Sequence, residues 1–254
     1  MSTRPIDTVL LAVADQHAEL DRLLDGLDDS QWATPVPRCP GWTIGDVVLH
    51  LTQTDELAAA SAAGQFGDAN ALFDGSKDVD QGADETVQRE RGASPRELLA
   101  RWRAASLAQR DALARTDPTT RLPWVTNRLA PATLATTRLA EAWIHTGDIA
   151  DALGVDVVAA PDRLRHIAWL AWRTLPYAFE RAGTELSGSV AVTLTAPDGA
   201  TWHFGDSDDA TTRVTGPGEQ WCLVAARRLD PMETQLRAQG SDADAVLELV
   251  RTYA

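Results

Sequence analysis

The spacing of apolar residues changes along the chain, and this change constrains the fold more than any other feature. Up to about residue 154, apolar side chains such as Val9, Val13 and Leu20 recur every three or four residues, which places them on one helix face. Further on, the segment SVAVTLTAPDGATWHFG alternates apolar and polar residues around Asp-Gly, which is typical of a β-hairpin. The pattern predicts a helical N-terminal domain, residues 1–157, followed by a smaller α+β domain, residues 158–254.

Start and stop signals divide the first domain into four long helices. The predicted helices cover residues 6–27, 43–63, 94–116 and 131–154. Thr43 and Ser94 each precede a carboxylate by three residues, as in a capping box, and Pro95 and Pro131 suit a first helical turn. The Gly- and Asp-rich segment 63–82 is typical of a mobile loop. Four long helices with varied connections predict a helical bundle.

The second domain mixes helices and strands. We expect a fifth helix over residues 161–182, then the hairpin. The segment TTRVTG predicts a further strand, and the segments EQWCLVAARRL and DADAVLELVRTY predict two short helices.

Charge and composition exclude several classes of function. The formal net charge of −14 repels phosphates, which argues against binding to nucleic acids or to anionic membranes. The sequence contains no apolar run long enough for a transmembrane helix, and Asp7 and Asp15 interrupt the apolar N-terminal stretch, unlike a signal peptide. Two distant cysteines, Cys39 and Cys222, predict a reducing, cytoplasmic location.

Three residues form a candidate metal site. Glu141 and His145 are four residues apart, so their side chains share one helix face, and His50 lies on another predicted helix. Imidazole and carboxylate groups bind divalent metals, and three protein ligands with a vacant position are typical of catalytic zinc. Alternatively, Glu141 and His145 form a simple hydrogen-bonded pair, and His50 is a core histidine bonded to a carbonyl group.

Neighbouring residues allow more than one interpretation. Asp148 lies on the face of Glu141, where it either orients a ligand histidine or is solvated. Cys39 is either a nucleophile or, since no base signature accompanies it, an ordinary loop thiol. We interpret Asp46 as a capping residue and Trp42 as a packing residue. The remaining histidines have no partner at ligand spacing and are interpreted as structural: His17, His166 and His203.

Several segments together resemble a known family. The segments CPGWTIGDVVLHL and RLAEAWIHTGDIADALG are similar to the mycothiol-dependent maleylpyruvate isomerase family of the DinB-like superfamily. They most resemble an actinobacterial branch that is described only as metal-binding proteins. The segments VAVTLTAPDGATWHFG and RVTGPGEQWCLVAARR resemble the C-terminal domain of that family, which is similar to sterol-carrier-like α+β folds.

The resemblance implies a fold, a metal and a cofactor. The N-terminal domain would be a DinB-like four-helix bundle in which His50, Glu141 and His145 bind a divalent metal, zinc before nickel or iron, and mycothiol would bind that metal through sulfur. Arg227 matches the substrate-facing arginine of the family, with Arg228 as the competing match. An arginine there would hold a substrate carboxylate in a bidentate contact. Alternatively, it is a surface residue at a helix end.

The reaction implied is activation of a thiol for attack on an electrophilic small molecule, as an S-transferase or a cis–trans isomerase. One alternative is a zinc hydrolase that uses metal-bound water, with Asp148 or Glu56 as general base. Another is a non-catalytic protein that holds a metal and binds an apolar ligand in its second domain. The sequence leaves the substrate, the metal and the oligomeric state open.

Overall fold

The structure is a computed structural model that describes residues 4–69, 79–125 and 127–252. The chain divides into two compact units, Met1–Val157 and Val158–Ala254. The first unit is helical apart from one short strand pair, and the second combines helices with a four-stranded sheet, which confirms the predicted fold class. Within the described residues, no helix is both long enough and apolar enough to span a membrane.

Four long helices form the framework of the first unit. Its elements are α1 Pro5–Asp25, α2 Asp29–Trp32, α3 Ile44–Ala62, α4 Phe66–Ala69, α5 Val79–Glu90, α6 Pro95–Arg115, β1 Leu122–Pro123, β2 Arg128–Leu129 and α7 Pro131–Leu153. Helix α3 packs on α6 and α7, and α1 packs on α7 and α6. The apolar faces meet in a core that includes Leu20, Ile44, Leu51, Trp102 and Ile149.

Capping boxes fix where two of these helices begin. The backbone N–H of Thr43 donates to Asp46 Oδ2 at 2.8 Å, and that of Asp46 donates back to Thr43 Oγ1 at 3.3 Å. Ser94 and Glu97 make the same reciprocal pair at the start of α6. The capping interpretation of Asp46 is confirmed, and the cap determines which residues of α3 face α7.

The predicted loop at 63–82 is wrong in part. Helix α4 lies inside this segment, and α5 begins at Val79, near its end. Helix α5 is polar over most of its surface, and its apolar stripe consists of only Val79, Ala83 and Val87, which is a weak signal in a Gly- and Asp-rich segment. Residues 70–78 of the segment lie outside the described residues.

A mixed sheet forms the centre of the second unit. Its elements are α8 Pro161–Arg173, α9 Leu175–Arg181, β3 Val190–Thr195, β4 Thr201–Phe204, β5 Thr212–Pro217, α10 Gly218–Ala225, a 3₁₀ turn Pro231–Glu233, β6 Arg237–Gly240 and α11 Ala243–Leu249. The strand order is β4-β3-β5-β6, with β3 and β5 parallel and the outer pairs antiparallel. The predicted hairpin is β3–β4, and the strand predicted at TTRVTG is β5.

The predicted fifth helix is wrong in extent, because it is interrupted at Thr174. Pro176 has no N–H to donate and its ring crowds the carbonyl four residues earlier, so a continuous helix cannot pass this point. The hydroxyl of Thr174 donates to the Arg251 carbonyl at 2.6 Å, which ties the break to the C-terminal segment. Strand β6 was not predicted from the sequence.

Two glycines of the second unit should respond differently to substitution. Gly240 has φ 116°, and a Cβ there would lie 2.0 Å from the Thr211 carbonyl oxygen, whereas a Cβ at Gly199, φ 85°, would meet nothing within 4 Å. We expect Gly199→Ala to lower the free energy of unfolding by about 1–2 kcal/mol, the penalty of a left-handed alanine. Gly240→Ala should lower it by roughly 2 kcal/mol more, because β5 and β6 must separate. Urea unfolding followed by tryptophan fluorescence compares the two variants, and equal losses would contradict this account.

Candidate metal centre

His50, Glu141 and His145 come together where α3 meets α7. Glu141 Oε2 lies 3.4 Å from His50 Nε2 and 3.6 Å from His145 Nε2, and the two imidazole rings are 5.3 Å apart at 80°. One ligand atom from each of the three residues lies within 4.8 Å of the other two. The side chains are 10–19% exposed, so the cluster is shielded and still accessible. Two imidazole nitrogens and a carboxylate oxygen at this separation suit a divalent metal ion.

Asp148 and Cys39 lie at the opposite edge of the His145 ring. Asp148 Oδ2 is 3.0 Å from His145 Nδ1, and its side chain is almost fully buried. This contact places a proton on Nδ1 and turns the Nε2 edge of the ring toward Glu141. Of the two interpretations of Asp148, the orienting one agrees with this position.

Cys39 does not have the geometry of a nucleophile. Its Sγ lies 4.0 Å from His145 Nδ1 and donates to Asp148 Oδ2 at 3.5 Å. In a nucleophile–base–acid arrangement the thiol and the carboxylate contact opposite nitrogens of the imidazole. Here both approach the same nitrogen, so Cys39 supports Asp148 instead of being activated by His145.

The electrostatics of the cluster favour a cation. Although burial opposes its ionisation, hydrogen bonds from His145 and His50 hold the pKa of Glu141 well below its usual range. Burial likewise opposes charge on His145, but its contacts with Asp148, Cys39 and Glu141 raise its pKa well above the usual range. Burial lowers the pKa of His50. The two carboxylates therefore stabilise positive charge between them, which is the requirement for a metal site.

A second buried group of polar residues continues along the same helices. Arg138, one turn before Glu141 on α7, lies with its Nε 3.5 Å from Asp55 Oδ1 on α3, and its guanidinium lies 5.6 Å from the centre of the Trp124 ring. His17 on α1 approaches Asp55 Oδ2 at 3.8 Å. Sequence reasoning missed Asp55 and Arg138. The signal available was the position of Arg138, three residues before Glu141 and on its face.

The other predicted residues take structural or surface positions. Glu56 forms a surface ion pair with Arg101 at 2.7 Å. The indole N–H of Trp42 donates to Asp84 at 3.0 Å, and its ring lies 5.2 Å from that of His50, so Trp42 packs against a candidate ligand residue. His203 is exposed and contacts Thr193 at 3.2 Å.

Arg227 and Arg228 follow helix α10 in the second unit. The backbone N–H of Arg228 donates to the Leu223 carbonyl and that of Arg227 to the Val224 carbonyl, which is the Schellman motif. Arg227 occupies its left-handed position with φ 59°, and no other non-glycine residue among those described has a positive φ. Its guanidinium donates to the Glu248 carbonyl at 2.6 Å. Glycine usually occupies this position, so the arginine is held in an unfavourable conformation.

Asp55 gives the stability of the protein a specific pH dependence. Burial raises its pKa from 3.8 to about 7, with Arg138 opposing, so between these values the folded protein keeps a proton that the unfolded chain has lost. The contribution of this proton to the free energy of unfolding is complete below about pH 4 and is lost as the pH rises to 7. Asp55→Asn should therefore gain stability relative to the wild type over that window, as measured by urea unfolding with a chelator present.

His17→Gln is the matched control, with the opposite slope. Burial, with Arg110 and Arg138, lowers the pKa of His17 from 6.5 to about 3, so its contribution is lost as the pH falls through that range. This variant should gain stability relative to the wild type as the pH falls. For each variant, the change in the free energy of unfolding relative to the wild type is followed against pH. Slopes of the same sign for both variants would contradict the charge states assigned to Asp55 and His17.

Comparisons with known proteins identify the family of this chain. Residues 13–150 match the family "Mycothiol maleylpyruvate isomerase N-terminal domain". Two proteins of Mycobacterium tuberculosis, from two strains and both named as uncharacterized, are 35% identical over 246 residues, or 95% of this chain and 95% of theirs.

Two crystal structures share the fold. The mycothiol-dependent maleylpyruvate isomerase superposes with a TM-score of 0.60 at 14% identity, covering 95% of this chain and 97% of the other. A histidine-to-alanine mutant of that enzyme gives 0.58 at 14% identity, covering 90% and 93%. The likeness to these structures extends over both units. The matched family and the full-length relatives together place this chain in the mycothiol maleylpyruvate isomerase family.

Proposed function

We propose that the protein is a zinc-dependent enzyme that uses mycothiol to attack an electrophilic small molecule, as an S-transferase or a cis–trans isomerase of the maleylpyruvate isomerase type. Its partners are the low-molecular-weight thiol and the electrophile. The single observation that carries the proposal is the convergence of the His50, Glu141 and His145 ligand atoms within 4.8 Å.

The donor set supports a catalytic ion more than a structural one. Two imidazoles and one carboxylate provide three protein ligands, which leaves a position for an exogenous group. A divalent ion held there would supply Lewis acidity that lowers the pKa of a bound thiol. Membership of a family defined by mycothiol favours a thiol in that position over water.

The protein itself prepares the ligands. Asp148 holds the His145 ring by its Nδ1 edge, and Cys39 donates to Asp148, so Nε2 faces Glu141 before any ion arrives; an ion bound there would displace the Nε2 proton. Trp42 packs against the His50 ring and restricts its rotation. Preorganised ligands bind a metal more tightly, because less side-chain freedom is lost on binding.

The environment of the carboxylates argues against a hydrolase. A hydrolase requires a general base near the metal-bound water. Asp148 is engaged with the Nδ1 edge of His145, and Glu56 is paired with Arg101 at the surface. Neither carboxylate is positioned as a base, which favours thiol chemistry.

Arg227 completes the proposal as the group that binds a substrate carboxylate. A residue held in a left-handed conformation where glycine would be more stable is a candidate for function, because the strain persists for a reason other than stability. A guanidinium binds a carboxylate through two parallel hydrogen bonds. Arg228, which donates to the Ala226 carbonyl at 3.1 Å, is the competing candidate.

We expect His50→Ala and His145→Ala each to lose most of the bound metal while the bundle stays folded. Each substitution removes one of three ligands, and both side chains lie at the rim of the core, so little packing is lost. Elemental analysis of the purified variants measures metal content, and circular dichroism measures folding. His203→Ala, which removes an exposed histidine of the second unit, is the matched control and should keep its metal.

Calorimetric titration with mycothiol separates the functional classes. Saturable binding to the wild type that vanishes in His50→Ala supports the thiol enzyme. Zinc without thiol binding would favour a hydrolase, and wild-type protein without metal would remove the proposed centre.

Arg227→Ala and Arg227→Gly should be impaired alike in the turnover of maleylpyruvate with mycothiol, and both should keep the metal. They should differ in stability, because alanine retains the left-handed strain and glycine relieves it, by about 1 kcal/mol in the free energy of unfolding. Arg228→Ala is the control. If Arg228→Ala loses turnover and the Arg227 variants do not, the match to the family is one residue off.

A further inference from the structure

A buried ion pair lies directly behind the candidate metal centre. Arg138 and Asp55 are 3% and 2% exposed in their side chains, and their nearest atoms are 3.5 Å apart. Arg138 precedes Glu141 by one turn of α7, and Asp55 follows His50 on α3, so the pair continues the contact that brings the three ligand residues together. A charged pair this deeply buried is destabilising unless its geometry is very good.

The geometry of this pair is not that of a stabilising salt bridge. Arg138 Nε and Nη2 and Asp55 Oδ2 have no hydrogen-bond partner within the described parts of the chain. His17, beside Asp55, is neutral at ordinary pH because burial lowers its pKa to about 3. A pair with unsatisfied groups contributes little to stability, so another requirement must account for its charges.

The field of Arg138 reaches the metal ligands. Arg138 lies one turn before Glu141 on the same face of α7, and both side chains are largely shielded from solvent. The positive charge of Arg138 would repel a divalent cation bound by these ligands, and in a buried site this repulsion is weakly screened. Asp55 is the carboxylate in contact with that guanidinium, and its negative charge offsets the repulsion.

We infer that Asp55 is the counter-charge that permits the His50–Glu141–His145 centre to take up a divalent cation beside Arg138. This inference rests on the proposed function. Asp55 and Arg138 do not touch the ion; they act through the potential at the ligands. Because the effect is electrostatic, the two substitutions have opposite signs and cancel when combined.

The test is a set of charge-neutralising variants titrated with Zn²⁺. At pH 8, above the pKa of about 7 to which burial raises Asp55, the wild-type pair is ionised. Asp55→Asn leaves the Arg138 cation uncompensated, so the Zn²⁺ dissociation constant should rise by about tenfold or more. Arg138→Met should not weaken binding. The double variant removes both charges and should return to within about threefold of the wild type.

A merely structural role predicts a different pattern. If the pair only packs the core, every variant should bind Zn²⁺ more weakly, and the double variant should bind it no more tightly than Asp55→Asn. That pattern would overturn the inference. The matched control is the exposed pair Arg103 and Asp21, whose side chains are 44% and 38% exposed. The same substitutions there should change the dissociation constant by less than about twofold, because solvent screens them.

The outcomes separate the inference from the proposed function. Wild-type protein that binds no Zn²⁺ removes both. If the wild-type protein binds Zn²⁺ but the double variant does not recover the affinity that Asp55→Asn lost, only the inference is removed. Thermal melting of the metal-free variants checks that each one folds. If Asp55→Asn does not fold, the other two variants test the inference. It requires that Arg138→Met and the double variant both bind Zn²⁺ at close to wild-type affinity or better, and weaker binding by either would overturn it.

Discussion

The burial of charged groups between α3 and α7 is the constraint on which the rest of the first unit depends. Charge is unfavourable in a dry helix interface unless each group meets an opposite partner. Here His50 meets Glu141, His145 meets Asp148, and Arg138 meets Asp55. The pairs His50–Glu141 and Asp55–Arg138 join the two helices and depend on their register, because a shift by one residue would leave these groups without partners in an apolar core, whereas His145–Asp148 lies within α7. The capping box at Thr43 and the proline at the start of α7 set the ends from which that register is counted.

Packing and chemistry place opposite demands on the same residues. Apolar substitutions at Asp55 and Arg138 would suit the surrounding core, and a glycine at Arg227 would suit its turn. Both positions hold residues that backbone conformation or core packing alone does not favour, although the Arg227 guanidinium also donates to the Glu248 carbonyl.

The helices and the hairpin could be predicted because their signals are local. Apolar periodicity and caps located the four long helices, and Asp198-Gly199 located the hairpin. Helix α5 was missed because its surface is mostly polar, and the break in the fifth helix was missed although Pro176 marks it. Strand β6 is four residues long and pairs only at the sheet edge, so its assignment depends on β5 and not on its own pattern.

For the candidate site, helical spacing suggested Glu141 and His145 as a pair, with His50 on another predicted helix as the third ligand, and the family resemblance favoured the same three residues. The structure brings the three together. Asp55 could not be selected from the sequence, because surface positions hold most aspartates and its burial depends on how α1, α3 and α7 pack. For Arg138 the only signal was its position one turn before Glu141, on the same helix face.

The charges of the centre explain why a divalent ion suits it. When the histidines are neutral, the net charge of this group is −2. It comprises three carboxylates, Glu141, Asp148 and Asp55, and one cation, Arg138. A divalent ion neutralises this set, whereas a single proton on His145 neutralises only half of it. Imidazole and carboxylate ligands accept several metals, so the ligands alone do not determine how strongly an ion is held. In the proposed centre the surrounding charges would set how strongly a divalent ion is held, and Asp55 would contribute through its contact with Arg138.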